Sequence, residues 1–291
     1  MRISFHTDAF NTSFKNFDFA LDWARQNDVH NIECGLIDGP SWIQGLGYQP
    51  HVPLYLDPME LRKKMASYGV QFSQVDAAYP LSDRDGVWYG VPYVLKTIPW
   101  AYLAGSPCIA TTDGLHQPTC YDDKTALARM KDSYCRILEV AENYGMKINI
   151  ELHGYFTTNL AYLQEMLDFA DSPLLGVNFD TGNVFIAGND PVEFLKLIIN
   201  KVNHVHIKDV SESLAAALRG NDKGIALSQC AIGEGVNAEN IKTCIAMLHE
   251  NGYSGALSME CEGNGGPMIT HSLEWLRNVL IELGIGENKQ I

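Results

Sequence analysis

The fold this 291-residue sequence predicts is a single (βα)8 barrel. Three observations predict it. Strand-like and helix-like stretches alternate from end to end in eight units. No linker-like or low-complexity segment divides them. Four strand-like runs in the second half each end on a carboxylate or an imidazole, and strand ends are where a barrel carries its chemistry. A doubly wound parallel sheet would share the alternation, but eight units with acids at strand ends favour closure.

The elements follow in order. Apolar or alternating runs predict strands near 2–6, 31–34, 70–75, 107–112, 147–152, 174–179, 202–207 and 255–260. Amphipathic stretches predict helices near 16–28, 58–68, 90–104, 123–145, 159–170, 191–199, 238–250 and 270–283. Asp57-Pro58 and Asp190-Pro191 each set a capping acid before proline at the first helical position. Gly69, Gly145 and Gly252 stand where helices usually stop. Two strand-to-helix connections are long, near 35–57 and 209–236, and in a barrel both lie over the catalytic face. The second includes the Ala/Leu-rich piece Ser213–Arg219.

Composition narrows the partners. The chain is 46% hydrophobic and 19% charged, so it can bury a large core. A formal net charge of −14 argues against nucleic-acid phosphates or an anionic membrane surface. No run of apolar residues is long enough for a transmembrane helix. Met1–His6 leads straight into a strand-like run without the apolar core of a signal peptide, and the cytoplasm is the expected compartment. Cys34, Cys108, Cys120, Cys135, Cys230, Cys244 and Cys261 are odd in number and form no C-x-x-C pair, so free thiols are expected.

The chemistry concentrates in Ile148–His153, Gly176–Asp180, His204–Lys208 and Leu257–Glu260. Alternation puts Glu151, Asp180, His206 and Glu260 on one face of these strands and Ile, Val, Phe, Leu and Met on the other. Laid side by side, the strands bring three carboxylates and one imidazole together, and such a cluster repels itself unless it holds a cation. Oxygen-rich ligation with one nitrogen suits Mn²⁺, Mg²⁺ or Co²⁺, whereas structural zinc favours cysteine and more histidine. A single such acid would more often pair with a lysine or cap a helix; four at successive strand ends favour the ion.

Glu-x-His-Gly at 151–154, Asp-Thr-Gly-Asn at 180–183, His-x-His-x-Lys-Asp at 204–209 and Met-Glu at 259–260 resemble the sugar phosphate isomerase/epimerase group. That group lies within the xylose isomerase-like TIM-barrel superfamily, which includes D-tagatose 3-epimerase, inosose dehydratase and the metal subunit of C-glycoside deglycosidases. The resemblance implies one divalent metal, often manganese, on Glu151, Asp180, His206 and Glu260. In the epimerase branch, the glutamates matching Glu151 and Glu260 also exchange protons with the substrate. The sequence departs from that branch at Asn183, where a substrate-binding histidine is usual, and at Glu212, where an arginine is usual. Arg219 is the candidate substitute.

The expected activity is therefore a metal-dependent isomerase or epimerase that removes a proton next to a carbonyl in a sugar or keto-sugar. The alternative is a lyase or dehydratase eliminating from a 3-keto-sugar or 3-keto-glycoside. His153 shares the inward face of Glu151 and is a candidate base or hydroxyl ligand. His204 sits one layer deeper, as a core or supporting histidine. Lys208 either binds a substrate oxygen or neutralises the acidic mouth. In the first half, His6, Glu33, Asp76, Asp113 and His116 fall at or past strand ends; His6 and Asp113, with Asn183, Lys208 and Arg219, are the expected substrate contacts. Trp42, Tyr48, Trp88 and Tyr89 are candidates for stacking on a sugar ring. Gly233-Glu234-Gly235 and Gly263–Gly266 are read as tight turns rather than phosphate cradles, because no basic cluster converges on them. A DNA-repair barrel would need several zinc ions and a basic groove, and a non-catalytic sugar binder would not need proton-exchanging glutamates. A homo-oligomer is expected from the resemblance.

Overall fold

In the computed structural model, which describes residues 1–13, 15–38, 51–220, 228, 230–261 and 267–289, the predicted strands close into one parallel barrel. They are β1 (Arg2–His6), β2 (Asn31–Ile37), β3 (Val52–Pro53), β4 (Gln71–Pro80), β5 (Cys108–Thr112), β6 (Lys147–Glu151), β7 (Leu175–Asp180), β8 (Val202–Ile207) and β9 (Ala256–Met259). Neighbours run β1-β9-β8-β7-β6-β5-β4-β2, and pairing of β1 with β2 completes the ring. The two-residue β3 lies outside the ring, paired to the extended end of β2 through Leu36 and Val52. It falls within the first long connection, where the loop signals concealed it.

Helices start where the sequence supplies a capping oxygen. Asn16 caps α1 (Phe17–Gln26), Asp57 caps α2 (Pro58–Ser67) and Asp122 caps α4 (Asp123–Glu142). Between them α3 (Val91–Ala104) follows a π-helical turn, Gly86–Gly90. Asn159 caps α5 (Leu160–Leu167), and Asp190 caps α7 (Pro191–Ile198) from its Oδ1 to Val192 N and Glu193 N. The last two helices are α9 (Ala238–Glu250) and α10 (Pro267–Glu282). Gly69, Gly145 and Gly252 end helices at φ +72°, +59° and +81°, in the left-handed region that favours glycine. Two short helices escaped the periodicity reading: α6 (Thr181–Ile186) and α8 (Glu212–Leu218). Six or seven residues cannot display a repeat of 3.6 clearly, and α6 starts directly on a strand end.

The barrel wall separates two environments. Ile148, Ile150, Val177, Phe179, Val205, Ile207, Leu257 and Met259 face the helices and belong to the core. Each such buried side chain contributes about 1.5–3 kcal/mol by leaving water. Their alternates, Asn149, Glu151, Asn178, Asp180, His204, His206, Ser258 and Glu260, are also buried but polar. Polar groups tolerate burial when bonded to one another. Ser4 and Ser73 hydroxyls meet at 2.7 Å, and Asn149 Nδ2 donates to Gln74 Oε1 at 2.6 Å. All seven cysteines are free thiols. Among the described residues no helix is long and apolar enough to cross a membrane.

Candidate metal centre

Glu151 ends β6, Asp180 ends β7, His206 is the penultimate residue of β8, and Glu260 follows β9 with its N–H still bonded to Ile207 O at 3.0 Å. The parallel register sets Asp180 opposite His206 and His206 opposite Ser258, so these side chains reach one level of the mouth. One ligand atom from each of the four lies within 4.8 Å of all the others. His206 Nδ1 is 2.8 Å from Glu260 Oε2, 3.2 Å from Glu151 Oε1 and 3.8 Å from Asp180 Oδ2. Exposure is 7% or less at all four.

These residues fit a divalent cation. Donor atoms about 2.1 Å from a small ion stand about 3 Å apart, the spacing seen here. His206 Nδ1 and Glu260 Oε2 are buried and face each other at 2.8 Å without a well-formed hydrogen bond among the described residues, and a cation between them would satisfy both. By themselves the four cannot all keep their charges. Burial, reinforced by the Glu260 carboxylate, pushes Asp180 up to about 7. Burial opposes a charge on His206, but the Glu33 and Glu260 carboxylates outweigh it and hold the imidazole well above its ordinary value. Glu260 would also be raised by burial, but the Lys208 ammonium and His206 bring it well below the usual carboxylate range.

Several expected residues gather around this cage. Lys208 is buried, donates from Nζ to Glu260 Oε1 at 3.1 Å, and lays its stem against Gly182, where a Cβ would come within 2.5 Å of it. Asn183 donates from Nδ2 to Asp180 Oδ2 at 2.6 Å, while Asp180 Oδ1 accepts the Gly182 and Asn183 N–H groups at 2.8 Å each. Asp180 thus both faces the cage and caps α6. His153 is buried with Nε2 3.6 Å from Glu151 Oε2 and Nδ1 3.0 Å from Thr112 Oγ1. His6 stands across the mouth, its ring centre 6.0 Å from that of His206. It lies between Asp76 Oδ2, 2.5 Å from Nε2, and Asp8 Oδ1, 3.0 Å from Nδ1.

Other expected contacts are engaged elsewhere. Asp113 accepts from Phe156 N at 2.8 Å and Thr157 Oγ1 at 2.9 Å, which commits both oxygens to the loop after β6. Burial raises its carboxyl to about 6. Arg219 is exposed; it donates to Phe185 O and Asn189 O and lies over the Phe185 ring. Those bonds tie the end of α8 to the segment after β7. His116 and Glu212 are exposed. Trp88 and Tyr89 are 73% and 64% exposed on the π-helical turn. Trp42, Tyr48 and Gly263–Gly266 lie outside the described residues. Gly233 and Gly235 direct their N–H groups to Asp209 Oδ2 at 2.9 Å, so a carboxylate of the chain itself occupies that turn.

Sequence reasoning placed Glu33 among pocket-facing residues and did not find its partner. It lies beneath the mouth, fully buried, with Oε2 2.9 Å from His206 Nε2 and Oε1 accepting from Gln74 Nε2 at 2.6 Å. Burial opposes its charge, but His206 and His204 hold it well below the usual range. No local motif marks such a pairing across 173 residues.

Comparison with known proteins agrees with this architecture. The family model of the xylose isomerase-like TIM barrel matches residues 21–279. The chain belongs to that family. Within it, the chain is 28% identical over 142 residues to the inosose dehydratase of Clostridium botulinum (strain Alaska E43 / Type E3), covering 47% of each protein. It spans about half the length of that relative. With the inosose dehydratase of Geobacillus kaustophilus (strain HTA426) it is 25% identical over 238 residues, 74% of each. Among solved structures, a D-tagatose 3-epimerase-like protein superimposes with a TM-score of 0.77 at 20% identity, covering 98% of both chains. The IOLI protein, solved with a bound zinc atom, gives 0.75 at 15% identity, covering 97% of this chain and 98% of that one. At those identities the structures speak for the fold of this xylose isomerase-like barrel alone.

Proposed function

We propose that this protein, a single barrel domain over residues 1–291, is a divalent-metal-dependent isomerase or epimerase of a sugar or keto-sugar. Its reaction removes the proton on the carbon next to a carbonyl. The observation that carries this reading is the buried convergence of Glu151, Asp180, His206 and Glu260, with His206 Nδ1 and Glu260 Oε2 facing each other and making no well-formed hydrogen bond among the described residues. A cation held there, with Mn²⁺ preferred and Mg²⁺ or Co²⁺ also suited, supplies Lewis-acid stabilisation of charge developing on substrate oxygens.

The protein's own groups do the rest. One of the two glutamates takes the proton, the C–H electron pair becomes a C=C bond, and the carbonyl oxygen gains the charge. The other glutamate, which enters the step protonated, returns its proton from the opposite side, and exchange with water resets the pair. Lys208, bonded to Glu260, keeps that carboxylate ionised and ready to accept. His153, beside Glu151, is positioned to pass a proton to or from Glu151 or to hold a substrate hydroxyl. Asn183 holds Asp180 in place, and His6 lines the far side of the mouth. The expected setting is the cytoplasm, with homo-oligomers formed by self-association.

A lyase outcome is the second reading, and it is favoured by the relatives named inosose dehydratase. There the same electron pair expels a hydroxyl group or the aglycone from the next carbon, and that group leaves with a proton. Proton NMR in D2O with Mg²⁺-loaded enzyme separates the two, using free ketoses and 3-keto-glucosides. Deuterium entering recovered substrate without release supports isomerisation, release of water or aglycone supports the lyase, and neither from any keto-sugar overturns both.

A further inference from the structure

We infer that Glu33 is a positioning residue that selects the metal-binding tautomer of His206, at the end of a one-way chain of amides crossing the barrel interior. This rests on the metal reading above and adds a residue outside the four-residue cage. The chain starts at Lys147 Nζ, which donates to Asn203 Oδ1 at 3.2 Å. Asn203 Nδ2 donates to Asn149 Oδ1 at 3.0 Å, and Asn149 Nδ2 donates to Gln74 Oε1 at 2.6 Å. Gln74 Nε2 then donates to Glu33 Oε1 at 2.6 Å.

An amide can usually be turned end for end, because its oxygen and nitrogen have the same shape. Here the two ends forbid it. Lysine only donates and an ionised carboxylate only accepts, so each amide between them has one permitted orientation. The remaining oxygen of Glu33, Oε2, faces His206 Nε2 at 2.9 Å. An acceptor at that place holds a hydrogen on Nε2, so when a cation takes the place of the other ring proton the lone pair is on Nδ1, the atom facing Glu151, Asp180 and Glu260. The competing neighbour would select the opposite state. Asn178 brings Nδ2 to 3.1 Å from His206 Nε2, while its Oδ1 is occupied by His204 Nδ1 at 3.0 Å. An amide N–H aimed at Nε2 favours a lone pair there and a hydrogen on Nδ1. The carboxylate prevails because it is charged and closer.

Glu33→Gln tests this without changing size. The oxygen of the new amide is claimed by Gln74, whose direction Asn149 fixes, so its NH2 points at His206 Nε2. Donors then surround Nε2, and the hydrogen moves to Nδ1. Mn²⁺ affinity, read by electron paramagnetic resonance, is expected to fall about 10–100-fold, with the melting transition retained. Two-bond ¹H–¹⁵N spectra of Mg²⁺-loaded, ¹⁵N-histidine-labelled protein supply a signature that a packing role would not move. His206 should show Nε2–H in the native protein. A folded variant with unchanged Mn²⁺ affinity overturns the positioning role alone, whereas native protein that binds Mn²⁺ with the hydrogen on Nδ1 overturns it together with the place of His206 in the cage. Native protein that binds no Mn²⁺ overturns the metal reading and this one with it.

Discussion

The two halves of the barrel mouth carry similar residues and treat them differently. At β6–β9 the terminal acids and histidine converge on one another, and His206 Nδ1 and Glu260 Oε2 make no well-formed hydrogen bond among the described residues. At β2–β5 most of the acid oxygens are already committed, Glu33 to Gln74 and His206, Asp76 Oδ2 to His6 and Asp113 to the loop after β6, and only Asp76 Oδ1 of these three acids has no hydrogen bond among the described residues. A carboxylate at a strand end is therefore only half of a site. The other half is whether nearby N–H and O–H groups have consumed its oxygens.

The largest effect should fall on the open half. Glu151→Gln keeps the shape of the cage and removes a proton acceptor, so exchange of substrate hydrogen with D2O should drop about 10²–10⁴-fold. A loss smaller than tenfold would erase the contrast between the halves. The same change separates an enzyme from a mere binder, which would keep its ligand response and have no turnover to lose.

On the committed half, Asp113→Ala should cost stability instead. It strips the acceptor from Phe156 N–H and Thr157 Oγ1, both buried, at about 1–3 kcal/mol for each orphaned group. Urea unfolding should show a loss of about 2–6 kcal/mol, with Mn²⁺ affinity changed less than threefold. A large change in KM with unaltered unfolding would return Asp113 to the substrate.

How much of this was legible follows from the same distinction. Strand alternation reports the direction of a side chain, so Glu151, Asp180, His206 and Glu260 could be found by counting along β6–β9. The caps at Asp57 and Asp190 were equally local. What a strand-end residue bonds to is decided by loops and by strands far away in sequence. Asp113 meets residues some forty positions later, and Glu33 meets His206 across the barrel. Asp209 closes the same motif as His206 and Lys208, yet it is held by Gly233, Gly235 and Asn237 N–H groups. Long-range hydrogen bonds leave no period in the sequence.

Acidity sharpens the contrast further. In metal-free protein Asp180 is raised to about 7, chiefly by burial, so the folded chain holds a proton there that the unfolded chain releases near pH 4. Its contribution to stability is complete below that lower value and disappears as pH rises through about 7. Chelator-treated protein should accordingly melt at lower temperature at pH 8 than at pH 6. Mn²⁺ must displace the proton, so its binding should strengthen over the same interval and release protons, measurable by calorimetry in buffers of different ionisation enthalpy. Affinity independent of pH from 6 to 8 would place Asp180 outside the cage.

The smallest effect is expected at Arg219, where sequence comparison and geometry point in different directions. Comparison with the epimerase branch makes it a substitute for a missing substrate arginine. Geometry places its guanidinium on the exposed Phe185 side of α8, bonded to the Phe185 and Asn189 carbonyls. An exposed cation–π contact of this kind is worth about 0.5–1 kcal/mol. Arg219→Ala should therefore lower stability by about that amount and leave kcat and KM within twofold of the native enzyme. A tenfold rise in KM with stability unaffected would mean that this arginine leaves Phe185 for the substrate during turnover. The described contacts would then represent only its resting position.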